Sequence, residues 1–342
     1  MEAAMPEHEI IYLTRKDIDR LGLSVEEIMQ QVELGLKCHG EKKVVMPPKA
    51  YLDVEEKYNG HFNILRAFVE PIEMAGVKVI GDYVNNFQES LASELALITL
   101  YNPRNGLPLA IMDATTLTWM RTGAVTAIGA KYLARKDAKI IGHIGARGTA
   151  GMNIRALCTL FDIKEVRVTS KRKASREFFA ETLRQNFHIP IEAKETVEET
   201  VKDADIIVEA TRLTKPETLI RKEWMKPGAL IIPYGWMMAI DPELPFEMDK
   251  LVVDDWIQCG QGGSLYPLIK DGRLRKEHIH GEIGEICAGI KPGRTNPSEK
   301  ILFWHRGFAI SDVMIGSLAL EKAKALGIGQ RLPYFCFDGE GM

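Results

Sequence analysis

Residues 138–150 read AKIIGHIGARGTA, an apolar β run followed by the turn Gly145-Ala146-Arg147-Gly148-Thr149-Ala150, and helical spacing sets in at Met152. Strand, glycine turn and helix in that order predict a dinucleotide-binding α/β fold. The N–H groups at a helix start face an anion, and glycine lets the backbone come close to a pyrophosphate. Gly145 takes the first place of the G-x-G-x-x-G/A pattern and Ala150 the last, while Arg147 holds the middle place. A Cβ and a guanidinium there must point away or meet phosphate directly, and Gly148 restores the sharp turn one residue later. All six residues of the turn are candidate cofactor contacts.

From residue 137 onward strands and helices alternate. Strands are expected at 138–144, 165–169, 189–192, 205–209, 229–232 and 250–253, with helical stretches between several of them. This is the pattern of a Rossmann-type doubly wound parallel sheet. About 25 residues past Gly145, where NAD sites place an acid for the ribose 2′-hydroxyl, the chain has Ser170, Lys171 and Arg172. Two cations suit a 2′-phosphate, so these residues favour NADP(H) over NAD(H).

The earlier part of the chain reads differently. Ser24 and Glu27 form a capping box ahead of a helix ending near Gly40, and strands are expected at 77–80, 95–101 and 109–112. The last two flank the turn Asn102-Pro103-Arg104-Asn105-Gly106 and are expected to pair as a hairpin. Residues 309–326 are again helical. A strand-rich region before the dinucleotide motif implies an α+β substrate domain, with the change in periodicity near residue 130. Arg121, on a helix just upstream of the nucleotide strand, is a candidate to hold a carboxylate beside a nicotinamide, which points to redox chemistry on an amino or imino acid.

A net charge of -3 over 342 residues leaves no basic footprint for nucleic acid. No apolar run approaches the roughly 20 residues that span a bilayer, and the first residues lack a signal-peptide core. Cys38, Cys158, Cys259, Cys287 and Cys336 are scattered without a C-x-x-C pair, which reads as reduced thiols in a cytoplasmic protein. His278 and His280 alternate without acidic or thiol partners, so no metal is expected. His143, inside the first nucleotide strand, reads as a satisfied core histidine. Asp113 and Asn86 are weaker candidates for cofactor contact. Asp312 opens the final helix and reads as its N-cap.

The chain resembles the ornithine cyclodeaminase/μ-crystallin family, which includes archaeal-type alanine dehydrogenases and ketimine reductases. The likeness is carried by Met46-Pro47-Pro48-Lys49, Ala75-Gly76-Val77-Lys78, Leu107-Pro108-Leu109-Ala110-Ile111-Met112-Asp113 and Met120-Arg121-Thr122-Gly123-Ala124. It continues through the glycine turn, Ala204-Asp205-Ile206-Ile207-Val208 with Thr211, Gly281-Glu282-Ile283-Gly284-Glu285 and Gly307-Phe308-Ala309-Ile310-Ser311-Asp312. The resemblance implies a homodimer with a substrate-binding and dimerisation domain from residues 1–129 and 309–342 and a Rossmann domain from 130–308. It implies that Lys78 and Arg121 contact the substrate and act in catalysis. It implies further that Lys49 helps hold the carboxylate and that Thr211 and Asp312 lie at the cofactor.

One departure bears on the reaction. Where the family carries an aspartate two residues after a glycine, this chain has Met237 in Gly235-Trp236-Met237, and a thioether neither engages an amine nor activates water. With Trp236 and Met238 it is expected to form an apolar wall toward the substrate. The reading is therefore NAD(P)-dependent hydride transfer at the Cα of an amino or imino acid. The alternatives are an ornithine cyclodeaminase-type ammonia lyase, an opine-like dehydrogenase of N-substituted amino acids, suggested by the stretch 252–259, or a non-catalytic NADP-binding protein of the μ-crystallin kind.

Overall fold

A computed structural model describes residues 8–83 and 85–335 of the protein; Cys336 and the first seven residues lie outside the described residues. The chain divides into two compact units. One comprises the described residues before Ile28, Lys42–Thr118 and the residues from Phe308 on; the other comprises Ile28–Glu41 and Trp119–Gly307.

The first unit is built on strands β1 (His8–Leu13), β2 (Val44–Val45), β3 (Ala50–Asp53), β4 (Gly60–Val69), β5 (Met74–Tyr83), β6 (Glu94–Tyr101) and β7 (Pro108–Asp113). With the terminal strand Gln330–Phe335 they form an eight-stranded mixed sheet. Its order is terminal strand, β1, β7, β6, β5, β4, β2, with β3 on β4. The hairpin β6–β7 forms as the turn residues lead one to expect, Asn102 and Asn105 accepting from the N–H groups of Arg104 and Leu107. β4 escapes a reading by alternation because its outer face carries Phe62, Ile64 and Phe68, so apolar residues occupy both sides. The Ala309–Leu326 helix packs on β4, β5 and β6.

The second unit holds β8 (Ile140–Ile144), β9 (Glu165–Thr169), β10 (Ile191–Ala193), β11 (Ile206–Glu209), β12 (Leu230–Pro233), β13 (Lys250–Val253), β14 (Gly281–Glu282) and β15 (Ile301–Trp304). All pair in parallel, in the order β10-β9-β8-β11-β12-β15-β13-β14. β8 and β11 lie side by side although β9, β10 and three helices separate them in sequence, the topological switch of a doubly wound sheet. Periodicity does not announce β14 or β15. β15 inserts between β12 and β13 and is buried throughout, so it has no polar face to betray its period.

The unit boundary at 118/119 lies earlier than the change in periodicity near 130, because the Thr115–Leu133 helix runs its later turns against the parallel sheet, Gly129 lying on the Phe303 ring. The helix Val25–Gly40 joins the same unit through Glu33, which accepts from Lys131 Nζ at 2.7 Å and Tyr132 OH at 2.6 Å. Among the described residues no helix is long and apolar enough to cross a membrane, and Cys38, Cys158, Cys259 and Cys287 are free thiols. Burial raises Cys158 to about 11 and Cys287 to about 12, which keeps both as inert thiols at neutral pH.

Candidate active site

β8 delivers the glycine turn at its C-terminal end. Gly145 has φ +110°, and a Cβ there would lie 2.6 Å from the carbonyl oxygen of Ala210, so only glycine fits. Gly148 follows at φ +55° with open space around it, and Arg147 is exposed. The guanidinium therefore turns outward and the turn's backbone stays bare ahead of the Ala150–Leu160 helix. A bare glycine turn at a helix N-terminus is the surface a pyrophosphate needs. At the end of β9, Lys171 and Arg172 are exposed and Ser170 is half-buried, its hydroxyl donating to the Arg172 carbonyl at 3.2 Å.

A polar network lies behind the turn. His143 is fully buried; its Nδ1–H donates to the Gly145 carbonyl at 2.9 Å, and its Nε2 accepts from Asn153 Nδ2 at 3.0 Å. Burial pushes this imidazole down to about 4, so it is neutral and satisfied, a core histidine. Asn153 also donates to Tyr234 OH at 2.6 Å, and that hydroxyl shares a hydrogen bond with Thr149, the residue before the helix. The Tyr234 ring lies 4.7 Å from that of His305, whose Nε2 pairs with Thr126 Oγ1 at 3.1 Å. Asn153, Tyr234 and His305 carry no sequence motif; only the sheet order brings β8, β12 and β15 near enough for them to meet.

The other face of the sheet end holds Glu209, the last residue of β11 and wholly buried. Register sets it level with Ile144 and Pro233, on the side of the apolar cluster that contains Ile144, Ile207 and Ile231. Its Oε1 accepts from the Thr211 N–H at 2.7 Å and from the Thr211 hydroxyl, and the Gly235 backbone packs on the carboxyl. Burial raises this group to about 7, against hydrogen bonds that pull the other way. Thr211 was expected at the cofactor; the acid that fixes its position gave no signal except a lone charge ending an apolar run.

In the first unit, Lys78 lies on the buried side of β5 and is only 2% exposed. Its ammonium donates to Asp312 Oδ1 at 2.7 Å and Thr118 Oγ1 at 3.3 Å. Asp312 is therefore not the N-cap of the final helix. Phe308 takes that position in extended conformation, and Asp312 sits within the first turn facing Lys78. A buried ammonium is tolerated because this carboxylate offsets its desolvation. Lys49 is half-buried on the loop before β3, a loop anchored where Arg66 Nη1 donates to the Pro48 carbonyl at 3.1 Å.

Arg121 belongs to the second unit and is 6% exposed. Its guanidinium lies over Gly307, where a Cβ would fall 2.0 Å from Nη1, and Gly307 itself has φ +66°. The Thr115–Leu133 helix meets the glycine-turn helix at Gly123, whose Cβ position is 2.8 Å from Met152. The spacing of Arg121 and Gly123 thus reflects two close contacts made by one helix.

The expected apolar wall is not a unit. Met238 points into the core, Met237 is half-buried, and Trp236 is half exposed with the Arg306 guanidinium 5.2 Å from its ring. The chain bends at residues 235–237, so the three side chains leave the loop in different directions. Asp113 caps the Thr115–Leu133 helix by accepting from the Thr115 N–H at 3.3 Å, and Asn86 closes its own loop on the Ala92 carbonyl at 2.7 Å. His278 accepts from the Arg275 N–H, and His280 donates to the Pro292 carbonyl. Among the described residues, His39, Asp255 and Glu282 bring one ligand atom each within 4.8 Å of one another. His39 Nε2 lies 3.3 Å from Asp255 Oδ2, and the two carboxylates accept from the N–H groups of Gln258 and Trp256.

A family model described as the ornithine cyclodeaminase/mu-crystallin family matches residues 9–326. The chain belongs to that family. An alanine dehydrogenase of Archaeoglobus fulgidus is 33% identical over 96% of this chain and 99% of its own length. The structure of Thermococcus litoralis Δ1-pyrroline-2-carboxylate reductase with NADH and L-proline is 34% identical, with a TM-score of 0.89 over 94% of this chain and 100% of that one. An archaeal alanine dehydrogenase dimer with bound NAD is 32% identical, with a TM-score of 0.88 over 96% of this chain and 100% of that one.

Proposed function

We propose that this family member is an NAD(P)-dependent oxidoreductase that transfers hydride at the Cα of an amino or imino acid. The observation that carries the reading is the likeness, over nearly the whole chain, to a reductase that holds NADH and L-proline. The turn at Gly145 supports it, because its positive φ and the close approach of the Ala210 carbonyl admit only glycine there, and the turn leads straight into a helix N-terminus.

In this reading the substrate carboxylate is held by Arg121, with Lys49 contributing a second cation, since a guanidinium matches a carboxylate in two parallel hydrogen bonds. Lys78 donates a proton to the imine nitrogen during reduction and takes it back during oxidation, with Asp312 and Thr118 fixing the direction of its Nζ. The dinucleotide, when bound, supplies or accepts the hydride. Gly145, Ala146, Gly148, Thr149 and Ala150 face its phosphates, Thr211 and Asp312 stand toward its nicotinamide half, and Arg147, with its side chain turned outward, offers the phosphates its backbone. Ser170, Lys171 and Arg172 favour NADP(H), supported by exposed cations with no acid at the end of β9. Met237 lines the substrate side and disfavours ornithine cyclisation for want of a carboxylate.

The protein works as a cytoplasmic homodimer, with the strand-rich unit as its substrate and dimerisation domain. Support comes from free thiols and from an apolar outer face where Val79 pairs with Leu97 and Gly81 with Leu95, Val79, Leu95 and Leu97 all being exposed.

The test follows NADH and NADPH absorbance with 2-oxo acids plus ammonia or methylamine, and with cyclic imines. Oxidation with one of these groups is expected. Purified protein that binds a dinucleotide yet oxidises it with none of them would overturn the reading.

A further inference from the structure

Two loops leave the C-terminal edge of the parallel sheet side by side. One follows β11 and carries Thr211; the other follows β12 and carries Gly235, Trp236 and Met237. Both meet at Glu209, which accepts from the backbone N–H and hydroxyl of Thr211 while the Gly235 backbone lies against its carboxyl. We propose that Glu209 is a positioning residue of the dinucleotide site, locking the Thr211 loop to the Gly235 loop, and that its ionisation weakens dinucleotide binding. This rests on the oxidoreductase reading above and adds to it a residue that touches neither substrate nor cofactor.

The geometry gives the reason. A carboxyl at a strand end normally turns to water, whereas Glu209 is enclosed by the face that carries Ile144, Ile207 and Ile231. Burying a carboxyl is costly, and the hydrogen bonds to the Thr211 loop are what it gains in return. The neutral acid meets this environment with no net charge. The ionised form adds a buried negative charge at the same sheet edge that must receive an anionic pyrophosphate, which opposes binding. The other titratable groups nearby are committed elsewhere. His143, one place back on β8, faces the opposite side of the sheet, and Tyr234 bonds to Asn153 there. Arg212, next after Thr211, keeps part of its surface in water, and partial burial lowers its guanidinium from the ordinary value without discharging it.

The experiment measures NADH and NADPH dissociation constants by cofactor fluorescence from pH 5.5 to 8.5 for wild type, Glu209→Gln and Glu209→Val. Wild-type affinity should fall several-fold as pH rises through neutrality. Glu209→Gln keeps an acceptor for Thr211 and should hold the low-pH affinity across the range. Glu209→Val removes the acceptor and should bind about tenfold more weakly than wild type at low pH, the equivalent of one hydrogen bond, with no change across the range. A Glu209→Gln profile that follows wild type would overturn the proposal while leaving the oxidoreductase reading intact, as would wild-type affinity in Glu209→Val. If Glu209→Val fails to fold, the Glu209→Gln profile decides. Absence of dinucleotide binding by wild type at any pH would remove the functional reading and this proposal together.

Discussion

Lys78 and Asp312 hold one another's charge in the core of the first unit, so the structural and chemical parts of Lys78 can be separated by changing both. Lys78→Met should destabilise the protein by about 3–5 kcal/mol, because it removes the cation that offsets a buried carboxylate. Lys78→Met/Asp312→Leu should recover most of that loss in chemical denaturation, since an apolar pair of similar volume replaces buried charges well. Turnover should stay down by about 10²–10⁴-fold in both variants if Lys78 moves the proton, and recovery of activity in the double variant would sink that role.

Two other buried groups contribute opposite slopes to the pH dependence of folding. His143 titrates at about 4 in the folded protein against an ordinary 6.5, so the unfolded chain binds the extra proton and stability falls as pH drops from 6.5 to 4. Glu209 titrates at about 7 against 4.5, so the folded protein binds the extra proton and stability falls as pH rises from 4.5 to 7. Between 4.5 and 6.5 the two slopes oppose. Glu209→Gln should therefore gain about 2–3 kcal/mol over wild type at pH 8 and much less at pH 5, read by urea denaturation at both. Equal gains at the two pH values would show that the carboxyl is not buried as described.

At the scale of elements, the helix Thr115–Leu133 and the loop at Gly307 work as a pair. Gly307→Ala forces a left-handed backbone on alanine, at about 1–2 kcal/mol, and drives its methyl into the Arg121 guanidinium. The displaced guanidinium should lower kcat/KM for the carboxylate substrate by about 10²-fold, with dinucleotide affinity unchanged. Loss of dinucleotide binding instead would place Arg121 at the cofactor. At the end of β9, Lys171→Ala/Arg172→Ala should weaken NADPH by about tenfold or more and leave NADH alone, since charge-assisted bonds to a 2′-phosphate are lost. Equal effects on both cofactors would sink the NADP preference.

The same elements show how far a sequence can be read. β9 and β13 lie where apolar period and flanking turns place them, and the helix Ala309–Leu326 begins and ends as its spacing implies. β4 and β15 do not: β15 is an unbroken apolar run with no period to count, and β4 sets apolar residues on both faces with His61, Asn63 and Arg66 scattered between them.

For the whole molecule, the outer face of the first unit's sheet argues for a second copy. Leu95→Lys/Leu97→Lys places charges on that face without touching the buried side of β6. Light scattering should show the dimer mass for wild type and the monomer mass for the variant, with the far-ultraviolet spectrum unchanged. A variant that remains dimeric would place the interface elsewhere.

The sequence by itself determined the local matters: the glycine turn at Gly145, the helix that carries Arg121, the strand that carries Lys78, and the absence of a carboxylate at Met237. These follow from backbone sterics, side-chain period and residue chemistry within a few neighbouring positions. Only the tertiary structure decided that Asp312 faces Lys78 across 234 residues of chain and that Glu209 locks the Thr211 and Gly235 loops. It also set Tyr234 beside the glycine turn. Such pairings depend on sheet order and helix packing, which bring together residues whose separation along the chain carries no periodic signal.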